Sequence, residues 1–274
     1  MGLLKYLWQS VAGVPPKYKF TDDIIVFEGE TLRRIRALRR IELTINGHRL
    51  VVNPGDLGGY IAFDPNHPTE YFHLSQRDNS WVGGNAKCCG LSKIGDESLL
   101  SGNAVLRSAK IYQSFVGGEA RITCAKVYYS YVYGNATLRF YSDVLVSCSS
   151  IFGNARVEGN AGISHSCIYD NTSIIVTGPY TQIKKIDISF ARIFGDTKIT
   201  YPIDGRDGHG GGVYKNKNVS DCVIDSVDAY NAACRSGKIR DLGREGCKFV
   251  SPHGYETIDR IFPLGTQFNI PVSL

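Results

Sequence analysis

Between residues 82 and 199 the apolar positions recur as short phrases. They follow neither a helical stripe nor long alternating strands. Nine hexads align, beginning at Val82, Ile94, Leu100, Val116, Val132, Ile151, Val157, Ile168 and Ile193. The first position is always Val, Ile or Leu. The third is Gly or Asp: Gly84, Asp96, Gly102, Gly118, Gly134, Gly153, Gly159, Asp170 and Gly195. The fourth is Asn, Asp or Glu, and the fifth is small: Ala86, Ser98, Ala104, Ala120, Ala136, Ala155, Ala161, Thr172 and Thr197.

Each preference has a physical cause. A β-branched or leucine side chain pointing into a core suits a short strand. Gly or Asp tolerates the left-handed backbone of a sharp corner. Asn and Asp hydrogen-bond neighbouring backbone in turns. A small residue fits where the chain bends close to an axis. One hexad is thus a side of a prism, a corner and the start of the next side. Looser segments, ITCAK at 122, VYYSY at 127 and ISHSC at 163, fill the remaining sides. The step from Leu100 to Val116 to Val132 is constant and matches one three-sided turn. The pattern predicts a β-solenoid with turns about 4.8 Å apart, each burying its apolar residues only against its neighbours.

Aliphatic-led GNA hexads resemble the hexapeptide-repeat, left-handed parallel β-helix proteins. The left hand is implied by that resemblance alone. Upstream, KYKFTDD, TLRRIRALRRI, PGDLGGYIA and LSQRDNSWVGGNA follow in the order seen in a family of bacterial and prophage proteins with no general activity known to us. That resemblance covers roughly residues 17–200. It implies an all-β chain with an N-terminal β cap on a left-handed parallel β-helix.

The chain divides accordingly. Residues 1–16 form an N-terminal extension, and 17–80 a β cap. In the cap, IELTI and HRLVV flank Asn46-Gly47, a strong hairpin signal. Residues 81–200 form the solenoid, interrupted by a protruding loop at TGPYTQIKK. Residues 201–218, containing DGRDGHGGGVYKNKN, read as a Gly-rich linker. Residues 219–274 read as a C-terminal cap or small appended domain, with a helix in VDAYNAACRSGKIRDLG and a strand or short helix in GYETIDRIF.

Composition adds little to the architecture. The chain has 274 residues, 43% of them hydrophobic, with 30 glycines and a net charge of +5. The eight cysteines form no CxxC or zinc spacing, so reduced thiols and a cytoplasmic setting are expected, in the host cytoplasm if the chain is phage-encoded. The apolar run in MGLLKYLWQSVAGV is too short to span a membrane. It reads as an amphipathic helix that docks on the body or on a partner.

The candidate chemistry is sparse, and no cofactor or metal is expected. The resemblance to hexapeptide-repeat acyltransferases raises His165 as a general base in a groove between subunits, or a groove that sequesters a small molecule. A ladder position facing solvent is the alternative for that histidine. GRDGHGGG lacks the Lys-Ser/Thr of a P-loop. Cys234 to Arg240 has the Cys-x5-Arg spacing of a phosphatase loop without its flanking residues. Arg33, Arg34, Arg36, Arg39 and Arg40 could form a basic patch for nucleic acid, or a solvated strand face.

The second hexad position should face outward, and it holds Tyr133, Phe152, Tyr169 and Phe194. Tyr112 and Tyr128 take the same relative place in the looser segments. A line of rings along a rigid prism fits a recognition surface or an oligomer interface, or rings covered by the chain's own C-terminal segment. The leading expectation is a non-enzymatic binding protein, a dimer or trimer, that engages a host protein.

Overall fold

The computed structural model describes residues 16–45, 48–63, 73–176, 185–201, 211–242, 249–250 and 256–257; side chains are not described at 48, 141–143, 185, 211–213, 249–250 and 256–257. The fold is a parallel β-helix with a β cap at its N-terminal end. Residues 1–15 of the expected N-terminal extension, Asn46-Gly47, residues 177–184 of the expected loop and most of the residues after 242 lie outside the described residues.

Three sides stack along the axis. The third side runs through Trp81–Val82, Leu99–Leu100, Phe115–Val116, Tyr131–Val132, Ser150–Ile151, Cys167–Ile168, Arg192–Phe194 and Lys217–Ser220, each parallel to the next. After its corner comes the first side, through Lys87–Cys89, Val105–Arg107, the start of Arg121–Tyr128, the start of Thr137–Ser147, Arg156–Gly159, Ser173–Ile175, Lys198–Ile199 and Val223–Ile224. The second side includes Lys93–Gly95, Lys110–Tyr112, the end of Arg121–Tyr128, Ala161–Ser164, Lys185–Ser189 and Gly211–Lys215.

The hexad positions behave as their chemistry requires. All nine first-position residues are buried, and so are all nine fifth-position residues. All nine third positions have positive φ, including Asp96 and Asp170. Close stacking adds a second demand at these corners. A Cβ on Gly118 would lie 2.9 Å from the carbonyl oxygen of Gly134 in the next coil.

Two hexads sit elsewhere. The Ile94 hexad turns from the second side to the third, and the Val157 hexad from the first side to the second, while the other seven share one corner.

A serine column runs through the core. Ser98, Ser114, Ser130, Ser149 and Ser166 are fully buried, two residues before the third side's core residue. The backbone N–H of Ser114, Ser130, Ser149 and Ser166 donates to the serine hydroxyl of the preceding coil at 3.1–3.2 Å. The hydroxyls of Ser114, Ser130, Ser149 and Ser166 each donate to the carbonyl two residues back at 2.7 Å. The column continues to the amide of Ala191. The separations between its members, 16, 16, 19, 17 and 25 residues, are the coil lengths. An asparagine column at the outer corner links Asn135, Asn154, Asn171 and Asp196 at 2.8–3.0 Å.

The cap consists of β1 (Tyr18–Phe27), β2 (Glu30–Ala37), β3 (Ile41–Ile45), β4 (His48–Val52) and β5 (Leu57–Ala62). β1, β2 and β5 are antiparallel, and β5 then pairs in parallel with Lys87–Cys89, extending the first side. β3 and β4 pair with Ile45 opposite His48, the two-residue hairpin register. Gly58 and Gly59 lie flat on the first coil: a Cβ there would meet the Val82 and Ala86 carbonyl oxygens at 2.6 and 2.5 Å. Lys17 is buried at the junction. Its ammonium donates to the Ser80 carbonyl at 2.7 Å and pairs with Asp78 at 3.3 Å.

The solenoid does not stop near residue 200. Gly211–Lys215, expected within the 201–218 linker, and Lys217–Ser220, which crosses the expected boundary into the C-terminal segment, continue the second and third sides. The wider separation there, 25 residues between Ser166 and Ala191 in the serine column, hid the period. The end is closed by Ile239–Asp241, antiparallel to Lys217–Ser220, and by helix α1 (Val227–Arg235). Ser226 caps α1 by accepting from the Ala229 N–H at 3.1 Å, and Ala233 is buried. Residues 225–242 therefore fold back as a C-terminal cap. Phe249–Val250 and Glu256–Thr257 form a further antiparallel pair.

Candidate functional site

The third side presents two outward columns, one on each side of its core residues. The column after the core residue reads Gly83, Ser101, Gly117, Tyr133, Phe152, Tyr169, Phe194. The column before it reads Trp81, Leu99, Phe115, Tyr131, Ser150, Cys167, Arg192. The two are complementary in size. Large residues occupy the preceding column over the first coils, where the following column is Gly or Ser; further along the pattern reverses. Phe115 folds over Gly117, whose Cβ position would lie 2.4 Å from the ring. An apolar stripe thus crosses the face diagonally.

Tyr133, Phe152, Tyr169 and Phe194 form one continuous stack. Centroids are 5.1, 4.9 and 5.2 Å apart and the planes lie within 3°, 3° and 6° of parallel. In-register parallel pairing sets this spacing, since each ring grows from the same position of successive coils. The rings are half-buried, and burial pushes the Tyr131 and Tyr133 phenols well above their usual range. Trp81, Leu99 and Phe115, although on the outer face, are only 1%, 7% and 4% exposed.

Tyr112 and Tyr128 also stack, at 5.1 Å and 16°. They stand on the second side, so the six aromatic candidates form two groups on different faces. His165 occupies a third place. It has positive φ at the corner between the second and third sides, and its ring stacks on Phe190 at 4.7 Å. Burial holds its imidazole below the usual pKa. Among the described residues no carboxylate orients it.

The arginine cluster is engaged inside the cap. Arg33 pairs with Asp22 at 3.8 Å and lies over the Phe63 ring. Arg34 donates to the Gly58 carbonyl at 2.9 Å and pairs with Asp23 at 3.5 Å. Arg36 donates to the Gly55 carbonyl, Arg39 to the Gln76 and Asp78 carbonyls, and Arg40 pairs with Glu42. Arg33 ties β2 to β1, Arg34 and Arg36 tie it to β5, the turn before β5 and the Gly84 corner, and Arg39 reaches the segment just before the first coil.

Cys234 lies in the last turn of α1, and Arg240 donates to the Gly237 carbonyl. A phosphate loop requires N–H groups at a helix N-terminus; this loop follows a helix C-terminus, where carbonyls point outward. The GRDGHGGG segment is only partly described. Its Gly211–Gly212 portion lies in a strand. Among the described residues no cluster of metal-ligating side chains occurs, and no helix is long and apolar enough to cross a membrane.

The sequence reading found the ring stack from its hexad position. It missed the preceding column, because Trp81 and Phe115 lie outside the hexads and Leu99 takes the sixth position of the Ile94 hexad, which carries no fixed residue type. No protein-family model matches this chain, and no curated protein matches it.

Proposed function

We propose that this chain is a non-enzymatic binding protein that docks a protein partner on the outer face of its third side. The stack Tyr133–Phe152–Tyr169–Phe194 carries this reading. Stacking occupies the ring faces, so the column offers ring edges. Ring edges carry the positive rim of the quadrupole and suit carbonyls or the faces of a partner's rings. The coils already fix the rings, so docking immobilises few side chains. Aromatic side chains are also the residues that concentrate binding energy.

The partner we favour is a host protein, with the chain itself phage- or prophage-encoded, homo-oligomeric and cytoplasmic. A host defence or other host machinery would be the target. The resemblance to prophage proteins supports that part of the proposal. The test is a photo-crosslinking phenylalanine analogue at position 152, compared with the same analogue at position 139 on the first side. Cross-links to a partner or second subunit from 152 alone are expected. Cross-links from 139 alone would reject the surface.

A further inference from the structure

The C-terminal end of the prism brings two cysteines to one non-covalent seam. Cys222 precedes Val223–Ile224, the last described strand of the first side. It takes the small interior position that Thr172 and Thr197 hold in the coils before it, and it is 8% exposed. Among the described residues no further coil stacks on it; helix α1 and the strand Ile239–Asp241 close the end there.

Cys234 stands in the last turn of α1 and is exposed. Tyr230 lies one turn earlier on the same helix face. Its side chain is hydrogen-bonded to the Cys234 thiol, and its ring meets Tyr214 of the second side edge-on, with centroids 6.3 Å apart. The chain after α1 is tied to the stretch beside Cys222. The Lys238 N–H donates to the Ala233 carbonyl at 2.9 Å, and the Ser220 N–H donates to the Lys238 carbonyl at 3.0 Å. The Lys238 ammonium donates to the Asp221 carbonyl at 2.6 Å. Asp221 and Ala233, the chain neighbours of the two cysteines, therefore meet the same lysine.

This seam is weakly held. α1 has nine residues, too few to persist alone, and Ala233 is its one buried residue. Tyr214 is fully buried and its hydroxyl has no hydrogen-bond partner, which costs stability at this end.

We infer that Cys222 and Cys234 form a reversible disulfide that fastens the C-terminal cap to the last coil under oxidising conditions. The Cys234 thiolate attacks a low-molecular-weight disulfide such as oxidised glutathione, forms a mixed disulfide and releases one glutathione thiolate. The Cys222 thiolate then attacks the Cys234 sulfur, closes the protein disulfide and expels the second glutathione thiolate. Two electrons pass from the protein to the reagent, and the two cysteine protons are taken up by the released thiolates. Burial raises the Cys222 thiol, so the second step is the slower one and speeds up with pH. Neither cysteine belongs to the ring stack, so failure of the docking reading leaves this bond untouched.

The test incubates the native full-length protein at pH 8 in glutathione buffers of rising oxidised-to-reduced ratio. Free thiols are trapped with N-ethylmaleimide and the cysteines mapped by mass spectrometry of the digest. A peptide pair joined through Cys222 and Cys234 is expected, and excess dithiothreitol should release it. Cys222→Ser should stop at glutathione on Cys234, and Cys234→Ser should leave Cys222 unmodified. Circular dichroism melting reports the fold of each variant. Amide hydrogen exchange in α1 and Ile239–Asp241 should slow by about tenfold or more on oxidation, with the coils from Leu99 to Ile168 unchanged. Glutathione persisting on Cys234 with Cys222 free, a bond from either residue to another cysteine such as Cys247, or a bond formed only in denaturant would overturn the inference. Unchanged exchange in the oxidised protein would also overturn it.

Discussion

The hydroxyl of Ser130 accepts the backbone N–H of Ser149, one coil later, at 3.1 Å, and donates to the carbonyl of Tyr128 at 2.7 Å. One buried side chain thus satisfies two backbone groups at a corner where strand pairing lapses. Ser130→Ala leaves the Ser149 N–H without a partner in a dry interior, while the Tyr128 carbonyl keeps the Cys148 N–H at 3.0 Å. The expected loss is about 1–3 kcal/mol, read as a lowered denaturation midpoint. The same substitution at the exposed Ser236 should change stability far less.

Corner glycines differ from turn glycines. Gly118 has φ of +68°, and a Cβ there would press on the Gly134 backbone; Gly29, in the β1–β2 turn, has φ of +83° and open space around it. Gly29→Ala is expected to cost about 1 kcal/mol, the left-handed backbone alone. Gly118→Ala should cost at least twice that, because two coils must separate. Equal melting shifts for the two variants would refute the contribution of coil stacking.

The buried Lys17 links stability to pH. Desolvation lowers its pKa from 10.5 to about 8, partly opposed by Asp78. Burial acts to raise the Asp78 carboxyl, but Lys17 and hydrogen bonds from Ser80 and the Asp96 amide hold it below the usual range. Between pH 8 and 10.5 the unfolded chain binds the lysine proton more tightly than the native chain, so this group makes stability rise with pH there. Below pH 8 its contribution is flat until Asp78 protonates in acid, where stability falls. Buried Cys88 and Cys89, whose thiols are raised, act in the opposite sense above about pH 8.5, so the rise is read as a difference between two proteins. In urea titrations at pH 7, 8, 9 and 10 the stability of the native chain relative to the double variant Lys17→Met/Asp78→Asn should increase with pH.

Thiol reactivity should follow burial. Cys88 and Cys89 are buried; burial pushes the Cys88 thiol well up and the Cys89 thiol to about 11. Cys234 is exposed. A chromogenic disulfide reagent at pH 8 should label Cys234 in the native protein and reach Cys88 and Cys89 only after unfolding.

Most of the fold was legible because the hexad marks the same physical places in every coil: core, outer face, left-handed corner, turn, tight interior. The serine column escaped notice because all its members but Ser98 lie between hexads, where spacing varies with coil length. Gly211–Lys215 escaped because glycine runs read as linkers, and only pairing with Lys185–Ser189 makes them a strand. The ring stack was visible as composition at one position. Its separation from Tyr112 and Tyr128 was not, because a hexad does not say which side of the prism it occupies. The arginine run was conspicuous in sequence, but Asp22, Asp23 and Glu42 neutralise much of it, through pairings that only the fold brings about.

The most direct measurement is the affinity of the triple variant Tyr133→Ser/Phe152→Ser/Tyr169→Ser for the partner, or for its own subunits, by calorimetry and sedimentation. Loss of binding by about a hundredfold or more is expected, in line with removal of aromatic anchors. The parallel coils should remain intact by circular dichroism. Unchanged affinity in a folded triple variant would contradict the assignment of the third side as the docking surface.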